Sequence, residues 1–186
     1  AADDLVNTGR GHRRHGVGIL VLMRPYDYPL HAQAHFSQNL LDQGSSPSSE
    51  RLFAMLSPAS QDIATALGCS EGDSVIHLRT LRRVNGIPVC VINHFLPNLS
   101  WWPHLQQFNS GSLHDFITER LNQTLVRTQT RISTRLAQAK ESRLLEIDAQ
   151  APLLCLRTLN KTASGEIAEY SVSLTRGDMI ELTLEH

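Results

Sequence analysis

The chain has 186 residues, which suits one domain, or one domain with a fragment of another. Hydrophobic residues make up 41%, so a core can form and wholesale disorder is excluded. A formal net charge of -1 excludes a domain that binds nucleic acid over its whole surface.

Cys69, Cys90 and Cys155 show no metal-ligand spacing and cannot all pair, and Cys90 and Cys155 lie in apolar strand runs. That pattern is expected of a reducing compartment, the cytoplasm. No signal peptide is visible, and the first apolar run, Gly18 to Met23, is far too short to span a membrane. No membrane partner is therefore expected. The start at Ala1-Ala2-Asp3-Asp4, without an initiator methionine, is expected of a piece of a longer protein.

Ala1 to Asn7 reads as the end of a helix, stopped by Gly9. Gly9-Arg10-Gly11-His12-Arg13-Arg14-His15-Gly16 is a basic, glycine-bounded loop ahead of a strand, Val17 to Met23. Helix end, basic turn and strand together look like the end of a winged helix. Arg10, Arg13 and Arg14 would then contact phosphates or a minor groove; the plain alternative is a solvated charged loop. Arg24 to Ala34 carries Pro25 and Pro29 and reads as an irregular linker. Ser37 is placed to cap a short helix through Gln43, with Gly44 as its stop. Arg51 to Ser57 alternates as a strand, and Ser60 to Leu67 reads as a helix closed by Gly68.

From Val75 to Pro97, two runs rich in branched residues flank Asn85-Gly86. Asn-Gly is a strong hairpin signal, because both turn residues need positive φ. A two-residue turn sets Val84 opposite Ile87, Arg82 opposite Val89, Thr80 opposite Val91 and Leu78 opposite Asn93. One face then carries Ile76, Leu78, Thr80, Arg82 and Val84 with Ile87, Val89, Val91, Asn93 and Phe95, while His77 and His94 meet on the other. A guanidinium is costly to bury alone, so Arg82 either reaches water or points at an anion.

Trp101-Trp102 is either core or a patch for a subunit partner. Ser112 and Asp115 form a capping-box pattern for a helix through Leu121. Leu125 to Thr134 reads as a strand with Val126, Thr128, Thr130 and Ile132 on one face. Leu136 to Leu145 reads as a helix and Leu153 to Leu159 as a strand. After a turn at Asn160 to Gly165, Ile167 to Leu174 returns, with Glu169, Ser171, Ser173 and Thr175 along one face. Arg176-Gly177-Asp178 breaks the chain before a last strand, Met179 to Leu184.

Leu78-Arg79-Thr80-Leu81 recurs as Leu156-Arg157-Thr158-Leu159, each copy after a strand, a helix and an acidic loop. Arg51 to Pro97 and Val126 to Arg176 thus read as two strand–helix–strand–strand units. The expected fold class is α+β, one antiparallel sheet with helices packed on one face and a ligand cleft where the halves meet.

Ser37 and Ser112 both sit at expected helix starts, where backbone N–H groups suit an anion. Arg82 adds a charge and Thr80 a hydroxyl; taken singly, each serine is simply a cap. The nine histidines show no HxH or HExxH spacing, so no metal site is expected. The chain has no P-loop, no G-x-G-x-x-G and no G-x-S-x-G, and no cofactor is expected. Glu169 with Arg82 is the sole candidate for an acid–base pair.

From about Gly16 onward the chain resembles the UTRA effector-binding domain of the HutC subfamily of GntR-type repressors. The marks are Phe36-Ser37 before a short helix and Gly44, Asn85-Gly86-x-Pro88, Gly111-Ser112-Leu113, and Glu169-Tyr170-Ser171 ahead of Arg176-Gly177-Asp178. HFSQNLLDQG, LRTLRRVNG, GSLHDF, TQTRIS and AEYSVSLTR are similar to those of family members encoded with phosphonate uptake and carbon–phosphorus lyase genes. The resemblance implies a chorismate lyase-like fold, a homodimer, and operator DNA bound through an N-terminal domain. It places a winged-helix remnant at 1–23, a linker at 24–34 and the effector-binding and dimerisation domain at 35–186. It implies an effector site at Phe36, Ser37, Arg82, Ser112 and Glu169. Thr80 stands where many relatives keep a second arginine, and His114 and Thr175 stand where they often have tyrosine. Those departures, at positions that line the same site, imply a smaller anion than a sugar phosphate, such as a phosphonate. A non-catalytic sensor is the reading that follows. The alternatives are a small-molecule lyase of the chorismate lyase type and a dimerisation module without ligand.

Overall fold

The computed structural model describes residues 11–14, 18–21, 25–29 and 41–184. Among these residues ten strands and four α-helices with both ends described alternate in an α+β fold. The strands are β1 (Gly11–Arg14), β2 (Gly18–Val21), β3 (Tyr26–Pro29), β4 (Pro47–Pro58), β5 (Ser74–Val84), β6 (Ile87–Leu96), β7 (Leu125–Leu136), β8 (Pro152–Thr162), β9 (Ile167–Arg176) and β10 (Ile180–Thr183). The helices are α1 (Gln61–Leu67), α2 (Trp102–Leu105), α3 (Leu113–Leu121) and α4 (Ala139–Leu145).

The main sheet has six strands in the order β4-β5-β6-β9-β8-β7, each pair antiparallel. The expected repeat is visible in that order. β4-α1-β5-β6 forms one half, β7-α4-β8-β9 the other, and they join where β6 pairs with β9. Helices α1 and α4 cover one face, packing on Val75, Phe95, Leu81, Val91, Cys155 and Leu174. The other face meets α2, α3 and Trp101 at one end, through Ile76, Leu78 and Leu96. Trp101 is thus core. At the other end Val84, Val89 and Ile92 pack under Tyr28, Met179 and Ile180.

Three expectations change here. The stretch read as an irregular linker contains β3, which pairs in parallel with β10, so the last strand leaves the main sheet. The basic loop is itself a strand, because Gly11–Arg14 pairs with Gly18–Val21. The helix expected from Leu136 starts later, since β7 runs to Leu136 and α4 starts after Gln138. Gln138 and Glu141 close a reciprocal capping box there, which satisfies N–H groups that a continuous helix would have bonded internally. Residues 37–40 of the short helix lie outside the described residues; Leu41 and Asp42 are helical and Gly44 has φ +74°.

The hairpin register also changes. Asn85 (φ 51°) and Gly86 (φ 80°) form the expected turn, and Val84 faces Ile87. Arg83 faces Pro88, but Arg82 then faces Cys90, so Val89 is a bulge. Pro88 has no N–H to offer the ladder, which favours an irregularity at this point. From Cys90 onward each β6 residue lies on the face opposite to the one a plain two-residue turn dictates. Thr80 now pairs with Ile92 and Leu78 with His94. His94 therefore joins the face of Thr80 and Arg82, and His77 instead stacks on Phe95 and contacts Asn93. The second half repeats this: Asn160 faces Glu169, Lys161 faces Ile167, and Ala168 is the extra residue. A bulge in β7 leaves Thr128 unpaired and sets Arg127, not Thr128, with Thr130 and Ile132.

Candidate functional site

A cavity of about 480 Å³ lies on the face opposite α1 and α4, across the junction of the two halves. Its floor comes from β6 (Cys90, Ile92, His94), β9 (Glu169, Ser171, Ser173, Thr175) and β8 (Leu156, Thr158, Asn160). Arg82 enters from β5 and Arg127 from β7. One wall is the first turn of α3, with Ser112, His114 and Asp115; the opposite wall is Tyr28, Ile180 and Leu182.

The paired bulges build this floor. They turn Cys90 in one half and Glu169 in the other toward the cavity, at corresponding positions of the repeat. Glu169 is fully buried, at 0% exposure. Its carboxylate accepts from His94 Nδ1 at 2.5 Å, His114 Nε2 at 2.7 Å and Asn160 Nδ2 at 2.6 Å. A buried carboxylate persists only when paired and hydrogen-bonded, and these three donors do that. Burial pushes the Glu169 carboxyl up. The His114 charge and the hydrogen bonds from His114 and His94 outweigh it and hold the group well below the usual carboxylate range.

His94 is buried on β6. Burial pulls its imidazole below the ordinary value, against the opposing pull of Glu169. Nδ1–H must face the carboxylate, which can only accept. In the neutral ring Nε2 then accepts from the Thr80 hydroxyl, 3.0 Å away. Thr80, Glu169, His94, His114 and Asn160 form one connected network drawn from β5, β6, β8, β9 and α3.

Ser112 caps α3, its Oγ accepting from the Asp115 N–H at 3.2 Å, so the capping-box reading holds on the serine side. The first turn of that helix, with Ser112, His114 and Asp115, borders the same cavity as Arg82. Thr175 donates to Cys90 Sγ at 3.1 Å, and burial pushes the Cys90 thiol up. Arg127 Nη2 donates to the Tyr28 hydroxyl at 3.2 Å, tying β7 to the outlying β3.

Of the residues singled out in the sequence, Arg82, Ser112, His114, Glu169 and Thr175 border this one cavity. Thr80 does not. It lies 2% exposed, with its hydroxyl 3.0 Å from His94 Nε2. Phe36, Ser37 and Arg10 lie outside the described residues; Arg13 and Arg14 lie on β1. His94, Asn160 and Arg127 were missed. Each depends on a bulge or on pairing across the two halves. Pro88 was the one local signal that could have pointed to the shift at His94.

Glu169 is a poor general base, because its carboxyl is held below the usual range and its oxygens already accept from three donors. Among the described residues no group of three His, Cys, Asp or Glu side chains could hold a metal ion. No helix among them is long and apolar enough to cross a membrane.

The UTRA domain family model matches residues 42–181. The chain is 62% identical over 187 aligned residues to the probable transcriptional regulator PhnF of Escherichia coli K12, covering all of this chain and 78% of that protein. A crystal structure of a PhnF C-terminal domain superposes with a TM-score of 0.72 at 61% identity, covering 84% of this chain and 99% of that one. PhnF from Mycobacterium smegmatis superposes with a TM-score of 0.81 at 25% identity, covering all of this chain and 81% of that one. These relatives are regulators, which bears out a non-enzymatic reading and removes the lyase alternative. The chain belongs to the UTRA domain family, as a PhnF-like effector domain of the GntR-type transcriptional regulators.

Proposed function

We propose that this chain is the effector-sensing and dimerising part of a repressor of phosphonate uptake and breakdown genes. Its cavity takes a small anion, a phosphonate or phosphate ester, at Arg82, Ser112, His114 and Thr175, with Phe36 and Ser37 completing the site. Binding shifts a homodimer between geometries that suit operator DNA differently. The observation that carries the reading is the meeting of Arg82 with the capped N-terminus of α3 in one cavity at the junction of the halves. The motifs shared with regulators of phosphonate genes support the effector class. The exposed apolar side chains Ile132 and Leu136 on the edge strand β7, with Leu184 nearby, support a homodimer. The basic ribbon β1–β2 supports a wing remnant at 1–23, with Arg10, Arg13 and Arg14 toward DNA phosphates, ahead of a linker at 24–34 that carries β3, and the sensor at 35–186. Such a regulator works in the cytoplasm.

Calorimetric titration with methylphosphonate, phosphate and glucosamine 6-phosphate tests the effector. A charged hydrogen bond contributes about 1.5–3 kcal/mol, so Arg82→Ala is expected to weaken anion binding roughly 10- to 150-fold. Absence of binding by every anion, in the native chain as in the variant, defeats the ligand reading. That result beside a stable dimer in sedimentation would favour a dimerisation module. Operator binding by the full-length regulator, with Arg13→Ala and Arg14→Ala, tests the wing: the salt slope should fall by about one for each lost phosphate contact.

A further inference from the structure

Glu169 is carried into the effector site by family resemblance, yet its geometry is that of a support. At 0% exposure it presents almost no surface to a ligand, and three donors take up three of the roughly four acceptor positions on its two oxygens. A ligand ammonium or hydroxyl would reach it only by moving groups that cover it. His114 is different. Its side chain is 35% exposed at the cavity wall, and Glu169 engages Nε2, which leaves Nδ1 as the nitrogen that can meet a ligand.

We infer that Glu169 is a positioning residue rather than a ligand contact, and that it orients His114 as the cavity's acceptor-reading and proton-carrying group. This rests on the anion-effector reading and narrows it: the ligand presents an anionic oxygen at His114, not an amine. Neutral His114, donating Nε2–H to Glu169, shows a lone pair on Nδ1, which repels an anionic oxygen. Protonated at Nδ1, with the proton taken from solvent, the same ring keeps its bond to Glu169 and gains a charged donor toward the cavity. An anion therefore prefers the protonated ring, and takes up a proton wherever the free ring is neutral. Among the described residues, the charged or titratable groups that share the cavity or the network with this ring are Glu169 from β9, His94 and Cys90 from β6, Arg82 from β5, Arg127 from β7, Asp115 on α3 itself and Tyr28 from β3. Of these, His94 is buried, and burial pulls its imidazole below the ordinary value, away from the range of about pH 6 to 8 over which binding is measured.

The test is calorimetric titration of the chain with sulfate, which stays a dianion across the range, and with methylphosphonate and 2-aminoethylphosphonate. Sulfate affinity, measured from about pH 6 to 8, is expected to fall as pH rises, by about tenfold per unit at most, as linkage to one proton requires. His114→Gln is expected to bind sulfate with a flat pH profile. 2-Aminoethylphosphonate is expected to bind no more tightly than methylphosphonate, and His114→Ala, which frees a Glu169 oxygen, to shift the order toward the amine. A flat profile in the native chain, the same slope in His114→Gln, or tenfold tighter binding of the amine by the native chain would overturn the inference while leaving an anion effector in place. No binding of any of the three anions at any pH overturns the effector reading itself, and this inference with it. The profile and the ligand order of the native chain need no variant, so a poorly folding substitution cannot shield the idea.

Discussion

Replacing Glu169 with glutamine keeps the side-chain volume and removes one charge. In the native chain three donors converge on the carboxylate, at 2.5, 2.7 and 2.6 Å, in a fully buried setting. An amide offers one acceptor oxygen and an NH2 group, so an imidazole must change tautomer or Asn160 turn over to avoid setting donor against donor, and the bonds to a charged acceptor are lost. Losing hydrogen bonds to a charged group costs about 1.5–3 kcal/mol. For a chain of this length each kcal/mol lowers the midpoint by about 2–4 °C, so Glu169→Gln should lower it by roughly 3–12 °C near neutral pH. Thermal and urea unfolding followed by circular dichroism measures this. The pH dependence supplies an internal control. The Glu169 carboxyl is depressed in the folded chain, so its contribution is complete above the unfolded carboxylate value, about 4.3, and is lost as pH falls through the lower folded value. The gap between native chain and variant should therefore narrow below about pH 4. His94 and His77 are both lowered by burial, so the unfolded chain binds protons there that the folded chain refuses. That loss begins as pH drops below about 6.5 and is common to both proteins in direction. A midpoint change under about 2 °C, or a gap that stays constant down to pH 3.5, would refute the assigned role of the network.

Gly86 has φ +80° and open space where a Cβ would lie, so Gly86→Ala should cost about 1–2 kcal/mol from backbone conformation alone, measurable by urea unfolding. Gly86→Asn should recover part of that loss, since asparagine tolerates the left-handed region. Leu145, fully buried between α4 and the sheet, should cost about 2–5 kcal/mol as Leu145→Ala, seen in the same assay. All three cysteines are free thiols, with Cys69 half-buried and Cys90 and Cys155 buried. A thiol-reactive disulfide reagent should label Cys69 in the native chain and the other two only on unfolding, as counted by absorbance of the released thiolate.

Much of the fold was legible because local chemistry and fold agree along long stretches. Asn85-Gly86 marks its turn through a positive-φ requirement that few other residue pairs meet. Gly68 ends α1 in the left-handed conformation, and Ser112 caps α3 through a bond three residues long. The repeated Leu-Arg-Thr-Leu marked two halves because both copies occupy the same position in matching units, on β5 and β8. β3 was not legible: its proline-flanked sequence looks irregular, and it is a strand because β10, some 150 residues away, supplies the partner.

The site divides along the same line. Sequence by itself determined some of the side chains near it: Ser112 follows from helix capping and the Glu169-to-Thr175 row from strand alternation, while His114 came from the family resemblance. Only the tertiary structure decided what those side chains do. Val89 and Ala168 are bulges, and each reverses the facing of the strand beyond it, so a rule of strict alternation put His94 on the wrong side. Bulges form where ladder geometry and packing across the sheet require them, and those partners are set by the join of β6 to β9. Arg82, which the hairpin alone left between water and an anion, lies at a cavity. Glu169, which alternation placed on an open polar row, is enclosed by two imidazoles and an amide drawn from three other elements, because burial of its charge is tolerable only with all three in place.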